Sequence, residues 1–197
     1  VKELSTISPY ILSGSAQTIA IPINQTAIST FNNVKAMGKI RIEKSGEQLV
    51  DAATRQTEYG TLYIPKYEKK GLTGVVYEVK NNSGAVVATI TTNSAGVAET
   101  GTLALGNYSV TEKSVNGAFV LDKTVHEVTL AYKDQTTAII TKTVSVENQR
   151  QKASVTMNKL SEQFVEDDCA FEQIKGAGFV FGLYTKSAIG SIPANAL

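Results

Sequence analysis

The sequence is poor in the residues that staple or catalyse. A single cysteine, Cys169, excludes an internal disulfide. If the chain works outside the cell, something other than sulfur must staple it. A single histidine, His126, sits beside Glu127 with no Cys or Asp at ligand spacing, so it reads as a surface residue and not a metal ligand. There is no tryptophan, and no apolar run approaches the roughly 20 residues of a membrane span. The N-terminus carries no signal-peptide pattern. A net charge of +1 comes with neither a basic stripe for nucleic acid nor an acidic tail. The start, Val1-Lys2-Glu3-Leu4, has no initiator Met, and the end, Ile192-Pro193-Ala194-Asn195-Ala196-Leu197, is equally abrupt. Both ends are expected to be cuts from a longer protein.

What remains is 197 residues with eight Tyr, six Phe and 42% apolar residues, enough for one domain and a remainder. No window sustains a helical period. Short alternating segments recur instead. Gly38–Lys44 places Ile40, Ile42 and Lys44 on one face, and Leu72–Lys80 is closed by the turn Asn81-Asn82-Ser83-Gly84. Val86–Thr92, Tyr108–Glu112, residues 125–132 and residues 138–148 follow in the same style. Residues 1–33 read as one or two strands, and 45–69, with Tyr59, Tyr63 and Tyr67 among charges, as a long insertion or hairpin. Strands and turn signals about every 8–12 residues predict an all-β sandwich.

The stretch Tyr108–Phe119 organises the rest. Tyr108, Val110 and Glu112 share one face of a period-2 strand. A carboxylate among apolar neighbours is costly unless it has partners or holds a proton. Two further polar residues close apolar alternations in the same way, Lys44 and Asn148. Both recur in an internal repeat: Lys44 as Lys159 and Asn33 as Asn148, each 115 residues apart, while Gly74-Val75-Val76-Tyr77 is echoed by Gly178-Phe179-Val180-Phe181. Each Asn precedes its Lys by eleven residues. The chain therefore reads as a window on a tandem array: the C-terminal strands of one repeat (1–33), a complete domain (34–149) and the N-terminal part of a third (150–197).

With these residues in order, the sequence resembles the collagen-adhesin B-type repeats, also called SpaA-type or prealbumin-like pilin domains, of Gram-positive surface proteins. Members carry a first strand ending in Lys, a Leu-x-Gly-x-x-aromatic strand, a Tyr-x-Val/Leu-x-Glu box followed by Gly-aromatic, and a last strand ending in Asn. Here these are Ile40–Lys44, Leu72–Tyr77, Tyr108–Phe119 and Val144–Asn148. The sequence departs at Val115-Asn116, where Ala-Pro is usual, and at Phe119, where Tyr is common. The resemblance implies a prealbumin-like or Ig-like β-sandwich and an intramolecular isopeptide bond. Its nucleophile would be Lys44, its electrophile Asn148 and its proton-handling acid Glu112, with ammonia lost.

Those residue types suit the chemistry. An amine attacks a carbonyl only when neutral, and burial disfavours the ammonium. Burial equally disfavours the carboxylate, so a protonated Glu112 is expected on the Asn148 carboxamide oxygen, polarising it and passing protons to the departing ammonia. The flanks predict one bond and not two: the Glu and Asn of the Lys159 repeat are expected beyond Leu197, and the Lys and Glu of the Asn33 repeat before Val1. The implied role is a stalk or spacer in an extracellular, cell-wall-anchored adhesin or pilus-like protein, with neighbouring repeats as partners. No cofactor, nucleic acid or membrane contact is implied, nor catalysis beyond a single self-cross-linking event. The alternative is a module binding host matrix protein or glycan, with Tyr59, Tyr63 and Tyr67 as its platform.

Other motifs carry less. Glu166-Asp167-Asp168 beside Cys169 disfavours a thiolate, and the run is not a calcium loop. Gly176-Ala177-Gly178 opens no predicted helix, so it is no dinucleotide fingerprint. Asn24, Asn81 and Asn107 head sequons that are read as accidental. Tyr63-Ile64-Pro65-Lys66 only loosely resembles the pilin motif whose Lys a sortase uses, and Ile192–Asn195 is no sorting signal.

Overall fold

The computed structural model describes residues 1–167 and 169–197. Asp168 of the acidic run lies outside them. Eleven strands and no helix appear among the described residues, in agreement with the all-β expectation. In chain order they are β1 (Met37–Thr57), β2 (Gly60–Gly71), β3 (Val76–Asn81), β4 (Val86–Thr91), β5 (Val97–Glu99), β6 (Leu103–Ala104), β7 (Gly106–Ser114), β8 (Val125–Leu130), β9 (Ile139–Asn148), β10 (Leu160–Val165) and β11 (Ala170–Lys175). Two compact units result: residues 1–47 with 69–150, and residues 48–68 with 151–197.

The first unit is a sandwich. One sheet runs β4-β3-β7-β8, all antiparallel. The other is built on β1, which pairs antiparallel with β5 and β6 and parallel with β9. The parallel ladder runs from Met37↔Ile139 to Gly46↔Asn148, so the first and last strands of the sandwich are neighbours. Period-2 alternation sends Ile40 and Ile42 inward from β1 to meet Tyr77 and Val79 of β3, Tyr108 and Val110 of β7 and Val128 and Leu130 of β8. At about 25 cal/mol per Å² of apolar surface, this core dominates the unit's stabilisation.

Between β2 and β3 the chain approaches its neighbours closely. Gly96 has φ +77°, and a Cβ there would lie 2.2 Å from the Lys44 carbonyl oxygen. The Gly71 backbone packs against Ala95 as tightly. Thr92 braces the same corner: its hydroxyl donates to the Leu72 carbonyl at 2.5 Å and accepts from the Val75 amide at 3.0 Å.

Three local expectations change. β1 does not close at Lys44 but continues to Thr57 and returns as β2, so residues 45–69 are the arms of a hairpin. Residues 1–33 form no ladder; Tyr10 alone makes a bridge, to Lys35. Four of their isoleucines, Ile7, Ile21, Ile23 and Ile28, are exposed. Residues 153–159 and 178–181 are likewise outside strands. The second unit instead contains the β10–β11 hairpin, where Phe164 meets Phe171 edge-on with centroids 5.3 Å apart.

Candidate functional site

Lys44, Glu112 and Asn148 come from three strands and meet. On β1, Lys44 is the third inward position after Ile40 and Ile42. On β7, Glu112 is the third after Tyr108 and Val110. On β9, Asn148 follows Val146 inward at the strand's last residue. In the parallel ladder Lys44 stands opposite Val146, two residues from Asn148 on the same face, so the two side chains are diagonal neighbours.

The contacts close a ring. The Lys44 Nζ donates to Asn148 Oδ1. Asn148 Nδ2 donates to Glu112 Oε1 at 2.7 Å. Glu112 Oε2 lies 2.7 Å from Lys44 Nζ. The Lys44 and Glu112 side chains are 0% and 1% exposed, so a charged pair here has lost its water entirely. Removing such a pair from water costs several kcal/mol per ion before attraction offsets it. Unlike the sequence-based expectation, the carboxylate faces the carboxamide nitrogen, and the amine faces the oxygen.

Tyr77 and Phe119 complete the pocket, and the sequence assigned neither a role. Tyr77 is opposite Glu112 in the β3–β7 register, and its hydroxyl donates to Glu112 Oε2 at 3.3 Å. Burial, then the charge and hydrogen bond of Glu112, push the Tyr77 phenol well above its ordinary range, so it stays a donor. Its ring lies 5.9 Å from Lys44 Nζ. Phe119, 5% exposed, packs so closely over Gly46 that a Cβ there would fall 2.7 Å from the ring. The Asp122 amide adds a long contact, 3.4 Å, to Glu112 Oε1. The signal available for Tyr77 was its place in the Val75, Tyr77, Val79 alternation.

The other candidates lie elsewhere. Asn33 is not without an acid, as the flank argument expected: its Nδ2 donates to Glu3 Oε1 at 2.6 Å and to Thr6 Oγ1 at 2.8 Å. Lys159, in the second unit, is exposed with its Nζ 5.0 Å from the Phe179 ring centre. His126 is half-buried with Nε2 3.9 Å from Asp122. Cys169 is exposed. No cluster of three metal-ligating side chains occurs among the described residues. Within the second unit, Tyr63 and Tyr67 line an apolar groove of about 590 Å³ with Leu183, Ile189 and Ile192, while Tyr59 lines a separate one with Phe181.

Residues 60–145 match the SpaA prealbumin-like fold domain. Among solved structures, the Bacillus anthracis TIE protein aligns over 88% of this chain and 30% of its own, at 18% identity and a TM-score of 0.51. The minor pilin GBS52 of Streptococcus agalactiae aligns over 63% of this chain and 49% of its own (19% identity, TM-score 0.44). The shaft pilin SpaA of Lactobacillus rhamnosus GG, as its D295N mutant, aligns over 59% and 52% (19% identity, TM-score 0.39). The chain thus spans about half or less of the length of each. No curated protein matches the sequence.

Proposed function

We infer, from the premise that residues 60–145 are a prealbumin-like domain of the SpaA type, that this chain is a structural stalk unit which cross-links itself. The bond is an amide between Lys44 Nζ and Asn148 Cγ, formed once per molecule with Glu112 as the proton carrier. The observation that carries this reading is the placement of the carboxylate. Its two oxygens face, one each, the two nitrogens that must exchange a proton.

The steps follow from that placement. A proton moves from the Lys44 ammonium to Glu112, which removes both charges from a site without water. The freed amine attacks Cγ of Asn148, held at contact distance by the β1–β9 ladder, so no encounter is required. Glu112 gives its proton to Nδ2 and takes one from the attacking nitrogen. The C–Nδ2 bond breaks, ammonia leaves, and a protonated Glu112 remains beside the new amide. Phe119 and the apolar core exclude the water that would divert the acyl carbon.

The unit is placed in a pilus-like or adhesin protein outside a Gram-positive cell, anchored to its wall, with further repeats of its own chain as neighbours. It performs no turnover. The test is intact mass with peptide mapping. The expected product is one ammonia lighter than the sequence, with the peptides of Lys44 and Asn148 joined. Glu112→Gln should restore the full mass. A wild-type protein of full sequence mass after folding overturns the reading.

A further inference from the structure

We propose that the open edge of β4 is a self-association site, where β4 of a second copy of this chain adds antiparallel and joins the two four-stranded sheets. The contact is separate from the Lys44–Asn148 pocket and does not depend on what happens there.

β4 ends the sheet β4-β3-β7-β8, and among the described residues no strand pairs with its far side. Thr92 shows which backbone groups are left over. Its amide donates to the Val75 carbonyl at 3.0 Å and its carbonyl accepts from the Gly74 amide at 2.8 Å, both on the β3 side. By antiparallel alternation the N–H and C=O groups of Thr91 and Thr89 point to the open side. Such a row is a template for another strand unless charge, proline or a covering segment blunts it. The other two outer strands of the sandwich are blunted. β8 carries His126 and Glu127. β9 carries Glu147, and Lys142 opposite the inward-facing Ile40. β4 has neither charge nor proline, and every residue in it except Ala88 is β-branched. Val86 and Val87 are 50% and 40% exposed on this edge.

The charges beside this edge select a second copy as the partner. A two-fold axis makes a strand its own neighbour, so the surface must complement itself. On the adjoining strand, Glu78 pairs with Thr89 and Lys80 with Val86, across a bulge. Tyr77 and Val79 are buried, so Glu78 and Lys80 alternate with them onto the outer face. Within one copy Glu78 lies 3.1 Å from Lys113 Nζ and 4.0 Å from Lys80 Nζ. A second copy running in reverse, with its Val86 opposite Thr89, aligns its Lys80 with Glu78 and its Glu78 with Lys80. Setting Thr89 opposite its own copy would align the two Glu78 carboxylates instead. Three strand spacings, about 14 Å, separate the aligned charges. They therefore choose the register, while the backbone ladder supplies the attraction. The favoured register also places two β-branched Thr–Val pairs across the junction.

Sedimentation equilibrium of the full chain, from about 10 μM to about 1 mM, should show a reversible monomer–dimer equilibrium, the range of a small interface. Thr89→Pro removes an outward N–H from each copy and none from the β3 ladder, so it should weaken the dimer by about tenfold or more. Val87→Lys puts a charge on the edge at an exposed position and should do the same, with urea titration showing that each variant is folded. Register is read by disulfide trapping in a Cys169→Ser background. Thr89→Cys and Val86→Cys proteins, mixed and air-oxidised, should give a linked dimer holding one of each, because directly opposite Cα atoms lie about 5.5 Å apart. Neither protein alone should link. A chain that stays monomeric throughout the range, a dimer that survives Val87→Lys, or Thr89→Cys linking to itself overturns the proposal.

Discussion

Mechanical extension of the Glu112→Gln variant gives the sharpest test of the cross-link. The first and last strands of the sandwich are parallel neighbours over ten register pairs, so tension applied before Met37 and after Asn148 shears β1 against β9. With the amide closed, the force runs along residues 37–44, crosses to Asn148 and leaves; residues 45–147 carry none. Without it, residues 37–148 unravel to about 380 Å at roughly 3.4 Å per residue. The folded ladder spans about 30 Å, so the unlinked domain should lengthen by about 350 Å. Single-molecule pulling between terminal handles should therefore show a step of that size in Glu112→Gln and none from this domain in the wild type.

Length is the better reading than melting temperature. Closing a loop of about a hundred residues contributes roughly 4–5 kcal/mol in the chain-entropy picture, about 15–25 °C for a domain of this size. The Gln variant also leaves a buried ammonium without its anion, a cost of about 3–5 kcal/mol that would inflate any thermal difference. Contour length is blind to that second effect. A wild-type step of about 350 Å would refute the bond, and a Glu112→Gln trace without the step would refute the role given to the acid.

Tyr77→Phe removes a 3.3 Å hydrogen bond to Glu112 Oε2 and nothing else of volume. Stability should fall by about 1 kcal/mol by urea titration, with ammonia loss completed several-fold more slowly in a refolding time course. Gly96→Ala forces a Cβ to 2.2 Å from the Lys44 carbonyl at φ +77°, so it should cost about 3 kcal/mol or more and lower the yield of cross-linked product. Asp134 is held low, to about 2, first by the Thr136 hydroxyl, then by the Thr136 amide and Thr137. Because its folded value lies below its unfolded one, its contribution to stability is full above pH 4 or so and is lost as pH falls toward 2. An NMR titration should place its midpoint near 2 and move it toward 3.8 in Thr136→Ala; a wild-type midpoint already at 3.8 refutes the assignment.

The site's three polar groups were legible because each sits third in an apolar alternation, and a period of two needs no knowledge of neighbours. What it cannot give is pairing. Nothing near Lys44 tells that β1 runs on to Thr57, because that depends on β2 returning beside it. Tyr77 reaches Glu112 only through the β3–β7 register, which shifts just past that pair. Residues 1–33 show the converse: they are rich in isoleucine, yet no ladder forms among them and Ile7, Ile21, Ile23 and Ile28 stay exposed. Glu3 went unread as a partner of Asn33 because 30 residues separate them and no alternation links the two. The orientation of the Asn148 carboxamide was equally out of reach, since it is set by which strand delivers each neighbour.

The unreacted ring is a poor way to stabilise a core. Apolar side chains of similar volume in place of a buried ion pair are commonly neutral or stabilising, so noncovalent stability alone does not explain three polar groups in this pocket. The proposed covalent product would: it turns the amine into an amide and leaves the acid neutral, so neither ion remains to be solvated. It would also fix the order of events. Lys44 and Asn148 are 104 residues apart, and contacts of such separation wait on the closure of the whole intervening chain. A slip of β1 by one residue would turn Lys44 away from the interior with the rest of its face. The proposed amide would thus form only after β9 has docked in its native register, and once formed it would prevent both the slip and the undocking of the last strand.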